Sequence, residues 1–323
     1  MILPSSLSRF MRYLVGFLPI GDLLDSSLFR ACRLDAWLSW LIAFFTGAVA
    51  AFEKYQFPVP HLILPALVFC LMTASIFILN QYFDIENDRA NRYKSNLPIA
   101  GGELSRREGL LLSVSFLVSS AVLSVFVGPI FPFLMLTYFL LWLAYSHPKI
   151  HLKSRPVIDL IVAGIGAGLM PFLAGWNAFL SSSSFPITLA LTFLLAQAGG
   201  HTLHTVGDRE ADILVGMNTS AVRFGERVVS RCGLAFFLFS LVLFIASVSK
   251  REIPLLVAVI PIVILPVASH TICRYIALIR KGADTPSSFE EIRKATVRVQ
   301  ICFLAAYALA FLFIAAVHPS LGH

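Results

Sequence analysis

Nine apolar runs, each about 18 residues or longer, recur along the 323 residues of this sequence and leave few architectures open. A helix rising about 1.5 Å per residue needs about 20 such residues to cross a hydrocarbon layer of about 30 Å. The runs lie near 34–52, 61–82, 108–127, 129–146, 157–175, 184–205, 230–248, 253–273 and 297–317. Hydrophobic residues make up 58% of the chain and charged residues 13%, well outside the composition of soluble domains. The expected fold is therefore an all-α integral membrane protein with nine transmembrane helices. Gly128 and Pro129, with no charge nearby, mark a tight turn, because one helix running from 108 to 146 would be too long for a single span.

The distribution of charge supports the same count. Of the 25 Lys and Arg, 22 fall in the N-terminal segment and the loops after spans two, four, six and eight. Only Lys54, Lys250 and Arg251 fall on the other side. The positive-inside rule then places the N-terminus and the even-numbered loops in the cytoplasm and the C-terminus opposite. The net charge of +7 is thus explained by topology and attraction to anionic lipid, and no nucleic-acid partner is expected. Five scattered cysteines, with no C-x-x-C pair, suggest neither a disulfide framework nor a zinc site. Residues 1–30, with Arg9 and Arg12 before "YLVGFLPIG", read as an interfacial segment, and residues 31–318 as one transmembrane domain of two four-helix halves plus a ninth helix.

Charge gathers where span two ends. In "ILNQYFDIENDRANRYKSNLPIAGG", Asn80, Asp84 and Asp88 are four apart and share a helical face. After span six, "DREADILVGMNTSAVRFGE" repeats the pattern: Asp208, Glu210 and Asp212 lie 124 residues after Asp84, Glu86 and Asp88, as Gly225 does after Gly101. This is a weak internal repeat of a four-helix unit, of the kind that sets functional sites at equivalent positions in membrane folds. Solvated loop charges are the bland explanation of one such pair. Two pairs at matching offsets favour a shared cation, since carboxylates on adjacent turns repel. Oxygen ligands at this density suit Mg²⁺, which binds through one or two carboxylates plus substrate phosphates. Arg89, Arg92, Lys94, Lys149, Lys153, Arg155, Arg209 and Arg223 follow or separate the acids, as a diphosphate would require. Any one of them alone is explained by topology.

The order and spacing of Asn80, Asp84 and Asp88, then "NLPIAGGELS", "YSHPKIHLKSRP" and the second aspartate motif resemble the intramembrane prenyltransferases of the UbiA superfamily over roughly residues 30–317. The resemblance implies a barrel-like helical bundle around a central cavity, with cytoplasmic caps carrying the aspartates. It also implies Mg²⁺-dependent transfer of a polyprenyl chain from its diphosphate to an aromatic, quinone-precursor type or other lipophilic acceptor. Asp84, Asp88, Asp208 and Asp212 would hold the metal, Asn80 would orient donor or acceptor, and Arg92, Lys94, Lys153 and Arg209 would meet the diphosphate. Tyr145 and Ser146 would form the floor of the site. This chain has Asn80-Gln81 where "ND" is common and "NLPIAGG" where many members have an "RPIPSG" type sequence; neither change removes a carboxylate.

Other features point elsewhere or to structure. His201 and His204, three apart near Asp208, suit cavity lining better than a metal, and His204 occupies in the second half the place of Asn80, as an acceptor-side or base candidate. Gly199 and Gly200 would allow close helix contact, as would Gly164, Gly166 and Gly168. Asp159 is expected to pair with Arg155 or Lys153. A terpene cyclase would share the ionisation step without a separate acceptor. A lipid or ion transporter would carry its charges near the bilayer midplane instead. With no basic residue in span one beyond Arg33, and none in span two before Asn80, a phenolic, quinol-like or isoprenoid acceptor is expected ahead of 4-hydroxybenzoate.

Overall fold

A computed structural model describes residues 26–55, 59–91, 94–179, 184–253, 255–261, 263–264 and 295–309, and all structural statements below concern these. They contain helices and no strand. After a short helix Ser27–Ala31, the chain bends by 65° into α1, Leu38–Tyr55. There follow α2 (Ile63–Phe83), α3 (Ile85–Ala90), α4 (Arg106–Ser124), α5 (Phe131–Ser146), α6 (Ile158–Asn177), α7 (Ile187–Leu214), α8 (Ser220–Phe224) and α9 (Glu226–Ser249). A further apolar helix covers Ala295–Leu309.

Local chemistry explains several of these boundaries. Ser105 and Glu108 form a reciprocal capping box that starts α4. Pro132 sits in the first turn of α5, where its missing N–H costs nothing, and the expected turn around Gly128 does separate α4 from α5. One helix carries a π turn at Ile165–Leu169, within "IGAGL", without being broken.

Four helices among the described residues are long and apolar enough to cross a membrane: 60–83, α4, α6 and α9. The bent pair 27–36 with 38–51 makes a fifth. The expected count of nine is met only in part. The run at 129–146 forms a 16-residue helix, short for a span. The run at 184–205 belongs to a 28-residue helix diluted by Gln197, His201 and His204. Most of 253–273 and the end of 297–317 lie outside the described residues, as do residues 1–25 and the loop after span eight.

Helix α6 is central: 72% of its apolar window is buried, against 17% for α9. It lies against α1 so closely that Cβ atoms on Gly47 and Gly175 would overlap the carbonyls of Phe172 and Phe44. Gly164 and Gly168 likewise face the α7 backbone at Leu194 and Phe193, and Gly166 faces Trp142, so all three glycines of "GIGAG" serve packing. Small residues that let helix backbones touch replace the hydrophobic drive that lipid cannot supply. Between α1, α2 and α5 lies an aromatic wall. Trp40 stacks on Trp142 at 4.8 Å, Phe44 on Phe69 at 4.9 Å, and Phe69 on Tyr138 at 5.7 Å.

Candidate active site at the aspartate motifs

Helix α2 breaks at Asp84, yet the amide of Asp88 still donates to the carbonyl of Asp84 at 2.7 Å. Asn80, Asp84 and Asp88 therefore remain stacked on one side, with Glu86 exposed on the other. Asp208 and Asp212 lie in the last two turns of continuous α7, and Glu210 is exposed. The two motifs come together through a pair of lysines. Lys153 pairs with Asp84, and Lys94 pairs with Asp208 at 2.6 Å, supported by Asn91 Nδ2 on the same carboxylate at 2.8 Å. Thus the first loop reaches across to the second motif.

The motifs match in chemistry as well as position. The leading aspartate of each carries a lysine, while the second is almost wholly buried, Asp88 at 2% and Asp212 at 3% exposure. Burial raises Asp88 to about 6, with Lys94 opposing and Asp84 adding to the shift. Asp212 also rises to about 6, through burial and then the charge of Asp208. Burial would raise Asp208 too, but the ammonium of Lys94 beside it holds its carboxyl below the usual range.

These residues fit a hard divalent cation. Asp88 Oδ2 is buried with no hydrogen-bond partner among the described residues, a costly arrangement that a cation would relieve. Asp212 Oδ2 accepts one bond, from Thr219 Oγ1 at 3.2 Å. Oxygen donors suit Mg²⁺ rather than a softer metal, but among the described residues no three Asp, Glu, His or Cys side chains gather closely enough to hold an ion by themselves, so substrate phosphates would complete the shell.

The remaining expected residues take the following positions. Asn80 donates through Nδ2 to Asp84 Oδ2 at 2.7 Å and to Ser146 Oγ at 3.1 Å, tying the first motif to the end of α5. Tyr145 is buried beside it, its hydroxyl 2.9 Å from His201 Nε2. His204, expected on the acceptor side, is exposed with its ring 6.2 Å from that of His201, so His201 is the inner histidine. One helical turn separates the two, and only the inward turn reaches Tyr145. Arg209 is turned from the carboxylates: Nε donates to the carbonyl of Ala221 and Nη1 lies 3.8 Å from Glu226, which tethers α7 to α8 and α9. Lys149, Arg155 and Arg223 are exposed, and Arg89 binds the carbonyl of Ala100. Arg92 lies outside the described residues. Asp159 pairs with neither Arg155 nor Lys153; it accepts from Ser220. A buried carboxylate needs donors, and the main chain of α8 supplies one where the exposed Arg155 does not. Gly199 would meet Gly233 as expected, but a Cβ on Gly200 would meet nothing within 4 Å.

One residue was not anticipated, and a second has a contact that the sequence does not signal. Asn91 binds Asp208 from 117 residues away, a pairing that no local spacing signals. Arg33, held at φ 50°, lays its guanidinium 5.7 Å from the ring of Phe77, one turn before Asn80. The residue just before span one thus places a positive charge beside the aromatic wall.

The profile of the UbiA prenyltransferase family matches residues 40–281. Among curated proteins, the chain is 28% identical over 202 residues to decaprenyl-phosphate phosphoribosyltransferase of Mycolicibacterium smegmatis, covering 61% of this chain and 60% of that protein. It is 33% identical over 184 residues to digeranylgeranylglyceryl phosphate synthase of Methanoregula boonei, covering 56% and 62%. A lycopene elongase/hydratase of Haloarcula japonica is 26% identical over 66% of this chain and 72% of its own. The chain thus matches under two thirds of the length of the first two relatives. Among solved structures, a UbiA homologue from Archaeoglobus fulgidus bound to DMAPP and Mg²⁺ superposes with a TM-score of 0.65 at 21% identity, covering 87% of this chain and 99% of that one. The apo homologue from Aeropyrum pernix gives 0.68 at 19% identity, covering 86% and 98%. At these identities the superpositions establish the fold.

Proposed function

The chain belongs to the UbiA prenyltransferase family, and from that premise we propose that it transfers an isoprenoid chain from its diphosphate to a lipophilic acceptor within the membrane. The observation that carries this reading is the meeting of two aspartate motifs over Lys94 and Lys153 at one end of an apolar bundle. In this reading nine helices surround a cavity, the caps holding the carboxylates and the N-terminus are cytoplasmic, and the C-terminus is opposite.

Asp84, Asp88, Asp208 and Asp212 would hold Mg²⁺, which when bound offsets the negative charge that builds on a departing diphosphate. Lys94 and Lys153 stand beside the carboxylates, where an ammonium also meets diphosphate oxygens. Asn80 and Ser146 fix the rotamer of Asp84. Trp142, which lines the space beside Asn80 and Ser146 and is backed by Trp40, would help keep water from an allylic cation there. Tyr145 and His201 are the polar pair available to orient the acceptor and take its proton. The names of the three relatives all contain an isoprenoid lipid, which supports a lipophilic acceptor. In the runner-up reading the same ionisation leads to cyclisation, and the products distinguish the two.

Purified protein in nanodiscs, supplied with Mg²⁺, geranylgeranyl diphosphate and a panel of acceptors, is expected to give an EDTA-sensitive adduct by mass spectrometry. Diphosphate release with a hydrocarbon or alcohol instead would select the cyclase. No turnover with any donor length would overturn both.

The raised carboxyls set a pH dependence. Asp88 and Asp212, at about 6 in the fold against an ordinary value of about 3.9, are ionised only above that range, so a cation must displace their protons below it. Mg²⁺-induced thermal stabilisation is expected to grow from pH 5 to pH 7 and then level off. Without added metal the linkage runs the other way: these two groups contribute stability that is present below about 4 and lost as pH rises through about 6. Melting curves at a series of pH values, with and without Mg²⁺, measure both; an identical metal shift at pH 5 and pH 7.5 would contradict the assignment.

A further inference from the structure

We infer that Asp159, which belongs to neither aspartate motif, is the positioning residue that sets the second motif against the Lys153 loop. The inference rests on the active-site reading above for what is being positioned, but on independent contacts for how.

Asp159 lies in the first turn of α6, is 0% exposed, and both of its oxygens accept bonds. Oδ2 takes the amide of Ser220 at 2.8 Å; Oδ1 takes the Ser220 hydroxyl and the amide of Leu160 at 3.0 Å. Ser220 Oγ in turn accepts from the amide of Val157 at 2.7 Å. Val157 sits at φ 71°, a conformation that a β-branched residue adopts only when its surroundings impose it. Two residues before Asn218-Thr219-Ser220 ends, the amide of Asn218 donates to Ser154 Oγ at 2.9 Å. Three separate points thus fasten the loop 153–159 to the segment 218–220.

Each side of this joint carries a member of the site. Lys153 opens the loop and pairs with Asp84 of the first motif. Thr219, next to Ser220, donates to Asp212 of the second motif. The path from Asp84 to Asp212 therefore runs through Lys153, the loop, Asp159, Ser220 and Thr219, and Asp159 is where α6 enters it. A carboxylate is required because all three of its partners are donors. In asparagine one oxygen becomes an NH₂ group, which would confront either the Ser220 amide or the Leu160 amide and Ser220 hydroxyl. Groups that orient metal ligands from behind typically change metal affinity by about 10- to 100-fold when altered.

The test uses Asp159→Asn in the full chain, with Glu252→Gln as a matched control. Glu252 accepts from the Leu189 amide at the start of α7, so its loss disturbs the same helix from its far end. The first readout is the Mg²⁺ concentration giving half-maximal thermal stabilisation, without donor. Asp159→Asn is expected to raise it by about 10-fold or more, Ser220→Ala to raise it comparably, and the double variant to add little; Glu252→Gln leaves it unchanged. The second readout is hydrogen exchange at the Val157 and Ser220 amides, expected to quicken at least tenfold in Asp159→Asn. An unaltered metal midpoint in a folded Asp159→Asn protein, or an equal rise in Glu252→Gln, overturns the inference. If the unsubstituted protein shows no Mg²⁺ response at all, the metal reading fails, and unchanged exchange at the two amides would then overturn the joint itself.

Discussion

Asp208→Asn is expected to lower turnover by roughly 10²- to 10³-fold while the protein stays folded. The substitution keeps the volume, and the new side chain can still accept from Asn91 Nδ2 through Oδ1. What it removes is the charge that pairs with Lys94 and that would help hold Mg²⁺. The carboxylate would act by holding the cation that offsets the developing anion, and losing such charge stabilisation costs about 10²- to 10³-fold. Asp84→Asn should behave alike, because it stands in the same relation to Lys153. Replacement by alanine would also stop turnover, but would strand an ammonium in a partly buried place and mix stability into the result. Rates from single-turnover product formation, with circular dichroism as the folding control, decide the matter; full activity in both asparagine variants would end the prenyltransferase reading.

The largest effect on stability is expected at Gly175, with a sign that helix propensity gets wrong. Alanine favours a helix over glycine by about 1 kcal/mol. At Gly175, however, a Cβ would overlap the carbonyl of Phe44, with Phe44 C at 2.7 Å and Ala48 N at 2.9 Å. Those atoms are backbone and cannot swing aside, so α1 and α6 must move apart, and the contact at Gly47 opens with them. Overpacking of this kind costs about 1–3 kcal/mol or more, and each kcal/mol is worth at most about 2–4 °C in a chain of 323 residues. Gly175→Ala should therefore melt roughly 2–12 °C lower. Gly200→Ala, where a Cβ meets nothing within 4 Å, should melt slightly higher. Thermal unfolding of the two in the same detergent gives the comparison, and a raised melting point for Gly175→Ala would contradict the close crossing.

Much of the site was legible because its residues are local. Asn80, Asp84 and Asp88 stack by helical spacing alone, and the same spacing sends Glu86 and Glu210 outward. Ser105 and Glu108, which cap α4, are likewise close in sequence. By contrast, Lys94 meets Asp208 across 114 residues and Lys153 meets Asp84 across 69. Listing the basic residues near the motifs could not separate these two from Arg209, whose guanidinium turns to Ala221 and Glu226. Nor could it find Ser220 as the partner of Asp159, since a nearer arginine looked sufficient.

The residues themselves determined that the chain lies in a membrane, where most helices begin and end, and which carboxylates share a face. Hydropathy, helical period and capping act within a few residues, so the sequence carries them openly. Tertiary structure alone decided which faces meet. In water an amphipathic stripe marks the inner side of a helix, but in lipid the outer side is apolar too. α6 and α9 are both apolar enough to span, yet one is mostly buried and the other mostly faces outward. The rotation of each helix, and with it the pairing of Lys94, Lys153, Asp159 and His201, follows from glycine contacts and buried hydrogen bonds between segments far apart in the chain.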